Sequence, residues 1–171
     1  QFLLFLSAIL AAVDDYQDLL RVTVAYAGND HRLGANEAPP AIISVFLGDE
    51  LNEIIESIVN ASKYENHQRD QMRLGVHILP KFPKDSTDRN RTSPFAFTGN
   101  KFEFRSLGSS QSVSGPNVVL NTIIADTLMH MADELEKAEN FTSAVDELIR
   151  RTLREHMRII FNGNGYDASW V

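Results

Sequence analysis

Apolar and polar residues fall along the chain in blocks of clearly different period. From Phe2 to Val24 the chain reads as a first helix, apolar all round at its start and amphipathic further on, where Tyr16, Leu19, Leu20 and Val24 share a stripe. From Asp49 to Ala61 the apolar positions Leu51, Ile54, Ile55, Ile58 and Val59 keep helical spacing and predict a second helix. Pro116 opens a long helix striped by Leu120, Ile124, Leu128, Met131 and Leu135. A last helix, from about Ser143 to Phe161, uses Val145, Leu148, Ile149, Leu153, Met157 and Ile160, with Asn162-Gly163 as its stop.

Between these helices the pattern changes. Gly75 to Pro80 predicts a short strand with Val76 and Ile78 on one face, and Lys101-Phe-Glu-Phe-Arg105 alternates strictly. That alternation sets Phe102 and Phe104 against Lys101, Glu103 and Arg105 on opposite faces. Ala25 to Pro40, rich in Gly, Asn and Pro, reads as loop, as do the charged Lys63 to Arg73 and the breaker-rich Lys81 to Arg91. The pattern predicts an α+β unit over residues 1–171, with several antiparallel strands covered by four main helices.

Composition narrows the chemistry. There is no cysteine, which removes disulfides, zinc-thiolate sites and thiol nucleophiles and fits a cytoplasmic setting. A net charge of -7 speaks against nonspecific nucleic-acid binding. The apolar start, Gln1 to Val13, has no basic residues before it and is closed at once by Asp14 and Asp15; it is too short to span a bilayer and reads as a core helix, not a targeting segment. The chain begins with Gln and ends at Trp170-Val171, so both ends read as cut from something longer.

Two segments concentrate reactive side chains. On the strand, residues two apart lie roughly 6.6 to 7 Å from each other. Glu103 is therefore a candidate divalent-cation ligand between Lys101 and Arg105 as phosphate or carboxylate holders, or else the three are ordinary ion pairs on a wet sheet face. The cluster Asn29, Asp30, His31, Arg32, Asn36 and Glu37 is either an anion clamp with a proton-accepting glutamate or a loop knitted by Asx turns. Lys81, Lys84, Arg89 and Arg91 form a basic cluster. The five histidines show no metal-ligand spacing, and His130 with Glu134 reads as a contact along one helix face.

Read together, His31-Arg-Leu-Gly-Ala-Asn-Glu-Ala-Pro-Pro-Ala-Ile-Ile-Ser44 and Asn90-Arg-Thr-Ser-Pro-Phe-Ala-Phe-Thr-Gly-Asn-Lys-Phe-Glu-Phe-Arg105 resemble the signatures of type III glutamine synthetases. The resemblance continues through Ser106 to Asn117 and the helices beyond. It implies a C-terminal portion of a glutamine synthetase catalytic domain, an ATP-dependent ligase. That enzyme joins glutamate and ammonia through γ-glutamyl phosphate with Mg2+ or Mn2+, and it assembles as hexameric rings without nucleic acid or membrane.

Residue by residue, the resemblance makes Glu103 a metal ligand and Arg105 a catalytic, substrate-binding residue. Lys101 takes the place of the family's first strand arginine, keeping its charge but not its planar fork. Glu37 matches the flap glutamate that takes a proton from ammonium, Arg32 an arginine that contacts substrate glutamate, and Arg91 an ATP or phosphoryl contact. The second arginine of the family's segment is missing here, its position falling near Ala96. The family's other metal ligands are not found in these residues, so the 171 residues alone are expected to be inert. Two other classes fit the local chemistry: a noncatalytic α+β interaction domain, and a phosphate or nucleic-acid binding module built on Lys81 to Arg91.

Overall fold

The computed structural model describes residues 1–35, 38–64, 71–72, 82–83, 93–168 and 170. Glu37, Arg91, the strand expected over Gly75 to Pro80 and the basic cluster of Lys81, Lys84, Arg89 and Arg91 lie outside the described residues. Within the expected connections 63–73 and 81–91, two short strands pair antiparallel: β2 (Gln71–Met72) and β3 (Phe82–Pro83).

Helix α1 (Phe2–Asp15) is the centre of the molecule. Its Leu6, Leu10 and Val13 are almost fully buried, while Phe2 and Phe5 remain about half exposed. It packs on α5 (Ser114–Leu135) and α6 (Phe141–His156), so its apolar surface is covered by the two long helices from the other end of the chain. The single helix expected to Val24 is broken at Tyr16, whose φ of -114° and ψ of 23° leave the helical basin. There the Gln17 side chain turns back to donate to the Asp14 carbonyl, and α2 (Gln17–Val22) starts in a new direction.

The region 25–40 is not wholly loop. Residues Ala27–Arg32 form a short helix, α3, which places Asn29 and Arg32 one turn apart on the same side. Helix α4 (Asp49–Val59) buries Ile55 and Val59. Helix α5 begins two residues before Pro116, whose missing N–H costs nothing in the first turn. Its expected stripe faces inward, Met131 and Leu135 buried and Leu120, Ile124 and Leu128 partly so. Helix α6 is capped by Asn140, whose Oδ1 accepts from the Ser143 amide at 3.2 Å.

The expected stop at Asn162-Gly163 comes too late, since α6 ends at His156 and passes through a 3-10 turn (Met157–Ile159). The tail then runs beside β1 (Val45–Phe46): Ile160 bridges Val45, and the Phe161 amide donates to the Val45 carbonyl at 2.9 Å. Asn162 caps no helix. Its Oδ1 accepts from the Leu47 and Gly48 amides, both at 2.9 Å, and clamps the turn into α4 where Gly48 adopts a φ of +84°.

The main sheet has the order β1-β4-β5, with β4 at Phe95–Phe97 and β5 at Phe102–Phe104. The α+β architecture stands, but the sheet is mixed: β4 and β5 are antiparallel, while β1 and β4 run parallel. A parallel pair needs a long crossover, and the intervening chain contains α4. Strands β4 and β5 are joined through Gly99, whose φ of +95° favours glycine, and the Thr98 amide closes the turn on the Lys101 carbonyl.

Candidate active site

Phenylalanines fix the orientation of β5. Phe102 stacks on Phe95 with ring centroids 5.1 Å apart, and Phe104 meets the same ring edge-on at 6.2 Å. Both join the main core and, with Leu120 and Ile124 of α5, line an apolar groove of about 260 Å³. With Phe102 and Phe104 committed to that face, strand alternation assigns Lys101, Glu103 and Arg105 to the other.

There Glu103 holds both cations. Its Oε2 accepts from Arg105 Nη2 at 3.1 Å and Nε at 3.3 Å, and its Oε1 lies 3.3 Å from Lys101 Nζ. The hydrogen bond from Arg105, then that from Lys101, hold the Glu103 carboxyl below the usual glutamate range. It is ionised at neutral pH. Exposure grades across the face: the side chains are 65% exposed at Lys101, 37% at Glu103 and 14% at Arg105. A simple wet sheet face does not describe Arg105, whose charge is mostly withdrawn from water while its amide donates to the Pro94 carbonyl at 2.8 Å.

Helix α3 brings Arg32 to the end of this strand. The Arg32 guanidinium donates to Asn29 Oδ1 through Nε at 3.2 Å and Nη2 at 3.0 Å, and Nη2 also reaches the Ser106 carbonyl at 3.4 Å. Asn29, itself buried, donates from Nδ2 to the carbonyls of Ser106 and Val24, both at 2.8 Å. Ser106 is the residue after Arg105, so two segments more than 70 residues apart in sequence meet at one backbone carbonyl. Arg32, Lys101, Glu103 and Arg105 are thereby gathered on β5 and its end, while Glu37 and Arg91 fall outside the described residues. The part played by Asn29 was hidden in the sequence, because the i, i+3 relation to Arg32 has meaning only on a helix and 25–40 reads as loop.

Sequence comparison adds what geometry alone does not. The chain is 54% identical over 173 residues to the type-3 glutamine synthetase of Dictyostelium discoideum, 47% over 179 residues to a glutamine synthetase of Butyrivibrio fibrisolvens and 43% over 176 residues to one of Bacteroides fragilis (strain YCH46). Each alignment takes in 99% of the chain. Residues 144–171 match the family model of the glutamine synthetase C-terminal domain. By sequence the chain belongs to the glutamine synthetases. It spans 24% of the length of each of these relatives. The family-model match covers most of α6 and Asn162, and Arg32, Lys101, Glu103 and Arg105 lie outside it.

A second group of charges in this glutamine synthetase chain was not foreshadowed by any motif. At the end of α1 the buried Asp14 accepts from His156 at 2.8 Å and from Arg158 Nε at 2.9 and 3.0 Å, and Asp15 stands 3.8 Å from His156. Asp14, Asp15 and His156 are close enough to share a cation. Both Asp14 oxygens are taken by Arg158, however, and the arrangement is a knot tying α1 to the end of α6. Asp14 raises the affinity of the Arg158 guanidinium for its proton through the hydrogen bonds and then through its charge. On α5 the expected His130–Glu134 contact gives way to others. His130 approaches Asp126 at 3.8 Å, and Glu134 binds Arg151 of α6 at 2.7 Å.

Proposed function

We propose that residues 1–171 form one unit that supplies the flap and one wall of a type III glutamine synthetase active site. The reaction is the ATP-dependent joining of glutamate and ammonia through γ-glutamyl phosphate. The observation that carries this reading is the meeting of Arg32 with the Glu103-bearing strand at the Ser106 carbonyl, in a chain 54% identical to a type-3 glutamine synthetase.

The donor chemistry suits the group. Glu103 offers an ionised, part-exposed carboxylate, the hard oxygen ligand that Mg2+ and Mn2+ take, and Lys101 and Arg105 hold it ready in that form. A cation bound by Glu103 would offset the charge of the nucleotide's phosphates. Arg105, with Lys101 and Arg91, would hold phosphoryl oxygens, and Arg32 with Arg105 would hold the glutamate carboxylate. Glu37 would take a proton from ammonium. The freed ammonia then forms a C–N bond at the acyl carbon, the C–O bond to phosphate breaks with its electron pair leaving on phosphate, and the nitrogen gives its surplus proton to that phosphate.

Glu103 supplies at most two of the roughly six oxygens such a cation needs. The 171 residues alone are therefore inert in this reading, and the complete site belongs to a larger assembly of hexameric rings in the cytoplasm. Among the described residues no helix is long and apolar enough to cross a membrane.

The test is in the full-length protein. Glu103→Gln and Arg105→Ala each lower glutamine formation from glutamate, ammonia and MgATP by about 100-fold or more while sedimentation stays unchanged. Normal rates in both variants would sink the assignment.

A further inference from the structure

The geometry points to Asn29 as a positioning residue that holds the Arg32 guanidinium in the orientation in which it meets a substrate carboxylate. This rests on the glutamine synthetase reading above and adds to it a residue that touches no substrate.

An arginine reads a carboxylate through a planar fork of N–H groups, so its affinity depends on which edge of the plane is turned outward. Here the choice of edge is made by one side chain. Asn29 Oδ1 accepts from both Nε and Nη2 of Arg32, using the edge those two atoms share. Nη1 makes no hydrogen bond among the described residues, which leaves that nitrogen to an incoming anion. The acceptor cannot turn away, because both hydrogens of the Asn29 amide are committed to the Val24 and Ser106 carbonyls. Those bonds also fix which end of the amide is oxygen. Asn29 is only 3% exposed, and its amide links Val24, ahead of α3, to the residue following Arg105. It therefore sets the distance between the two arginines as well as the plane of one of them.

A neighbouring glycine gives independent access to the same atom. A methyl group built on Gly108 would stand 3.3 Å from Asn29 Oδ1, close enough that the amide must shift by a few tenths of an ångström. Gly108→Ala thus disturbs the oxygen that holds Arg32 while leaving Asn29 in place.

Steady-state kinetics of the full-length protein test this directly. Asn29→Ala is expected to raise the KM for glutamate about tenfold with the KM for ATP changed less than about twofold, the pattern of lost ground-state binding of one substrate. Gly108→Ala shifts the glutamate KM in the same direction by about two- to fivefold. On an Arg32→Ala background, both changes lose their effect on glutamate, because the guanidinium they orient is gone.

If Arg32→Ala raises the glutamate KM and neither Asn29→Ala nor Gly108→Ala does, Asn29 does not position it. If the effects multiply in full on the Arg32→Ala background, Asn29 acts by another route and the inference is likewise overturned. An unchanged glutamate KM in Arg32→Ala itself would overturn the substrate role of Arg32 and the inference with it. Should Asn29→Ala fail to fold, Gly108→Ala alone and on the Arg32→Ala background carries the same test, and a glutamate KM that it leaves unmoved overturns the positioning role.

Discussion

Two carboxylates in this molecule each sit between two basic side chains, and their surroundings give them opposite uses. Asp14 is 1% exposed, sealed at the end of α1, with His156 and Arg158 on its oxygens. Glu103 is 37% exposed on a strand face, with Lys101 at one oxygen and Arg105 at the other. Exchange of the Asp14 partners would leave a charge stranded in the interior, so that pairing is fixed for the life of the fold. Glu103 can exchange a protein cation for a metal ion or release an arginine to a phosphate at little cost, because water and solute reach it. Similar pairing thus makes Asp14 a fastening and leaves Glu103 open to the binding role proposed for it. Burial decides between them.

Amide substitution should pull the two apart. In the full-length protein, Glu103→Gln removes about 100-fold or more of the turnover. Asp14→Asn instead lowers stability by about 2 to 3 kcal/mol, towards the lower end for a broken buried pair because Arg158 is 72% exposed and returns to water. The enzyme that remains folded should turn over at the normal rate. Thermal unfolding beside kinetics per folded molecule checks both halves. An Asp14→Asn protein of normal stability and lost activity would move the knot from fastening to catalysis.

Period was the part of this fold written plainly in the sequence. Apolar positions recur every three or four residues in α4, α5 and α6, and the alternation of Lys101 to Arg105 survives as β5 because both of its phenylalanines reach the core. Short elements were not written there. The two residues of β1 and the six of α3 are too few to show a period, and they exist because long-range partners hold them: Phe95, Ile160 and Asn162 for β1 and its exit, Ser106 for α3. The site shows the same division. The charged strand face was legible as a face, and the roles proposed for Arg32, Glu103 and Arg105 rest on resemblance to a known family. Asn29, Asp14 and Arg158 work through partners 77, 142 and 144 positions away, a relation that no local pattern encodes.

Asn162 extends the comparison to a neutral clamp. Its carbonyl oxygen serves two amides in a buried turn, and without it both N–H groups would be shut away from water with no acceptor. Asn162→Ala is expected to cost about 2 kcal/mol, measured as a lowered unfolding midpoint, and to leave the KM values for glutamate and ATP untouched. Asn162→Asp keeps an acceptor and should recover most of the loss. An equal loss in both variants would show that the two bonds are not what Asn162 contributes.

The smallest effect expected belongs to the residue with the largest one. Glu103→Gln should change stability at neutral pH by less than about 1 kcal/mol, because the carboxylate is 37% exposed and water replaces much of what its partners supply. The sign with pH follows from the lowered proton affinity of the folded carboxyl. A group more acidic folded than unfolded contributes in full above its unfolded value, about 4.3 for glutamate, and the contribution fades as pH falls through the folded value. Whatever difference separates Glu103 from its amide at pH 7 should therefore shrink to nothing in acid. A difference that persisted below that range would assign it to packing of the side chain against the strand and not to Lys101 and Arg105. In that case Glu103 would resemble Asp14 after all, and the contrast between fastening and binding surface would narrow to their exposure alone.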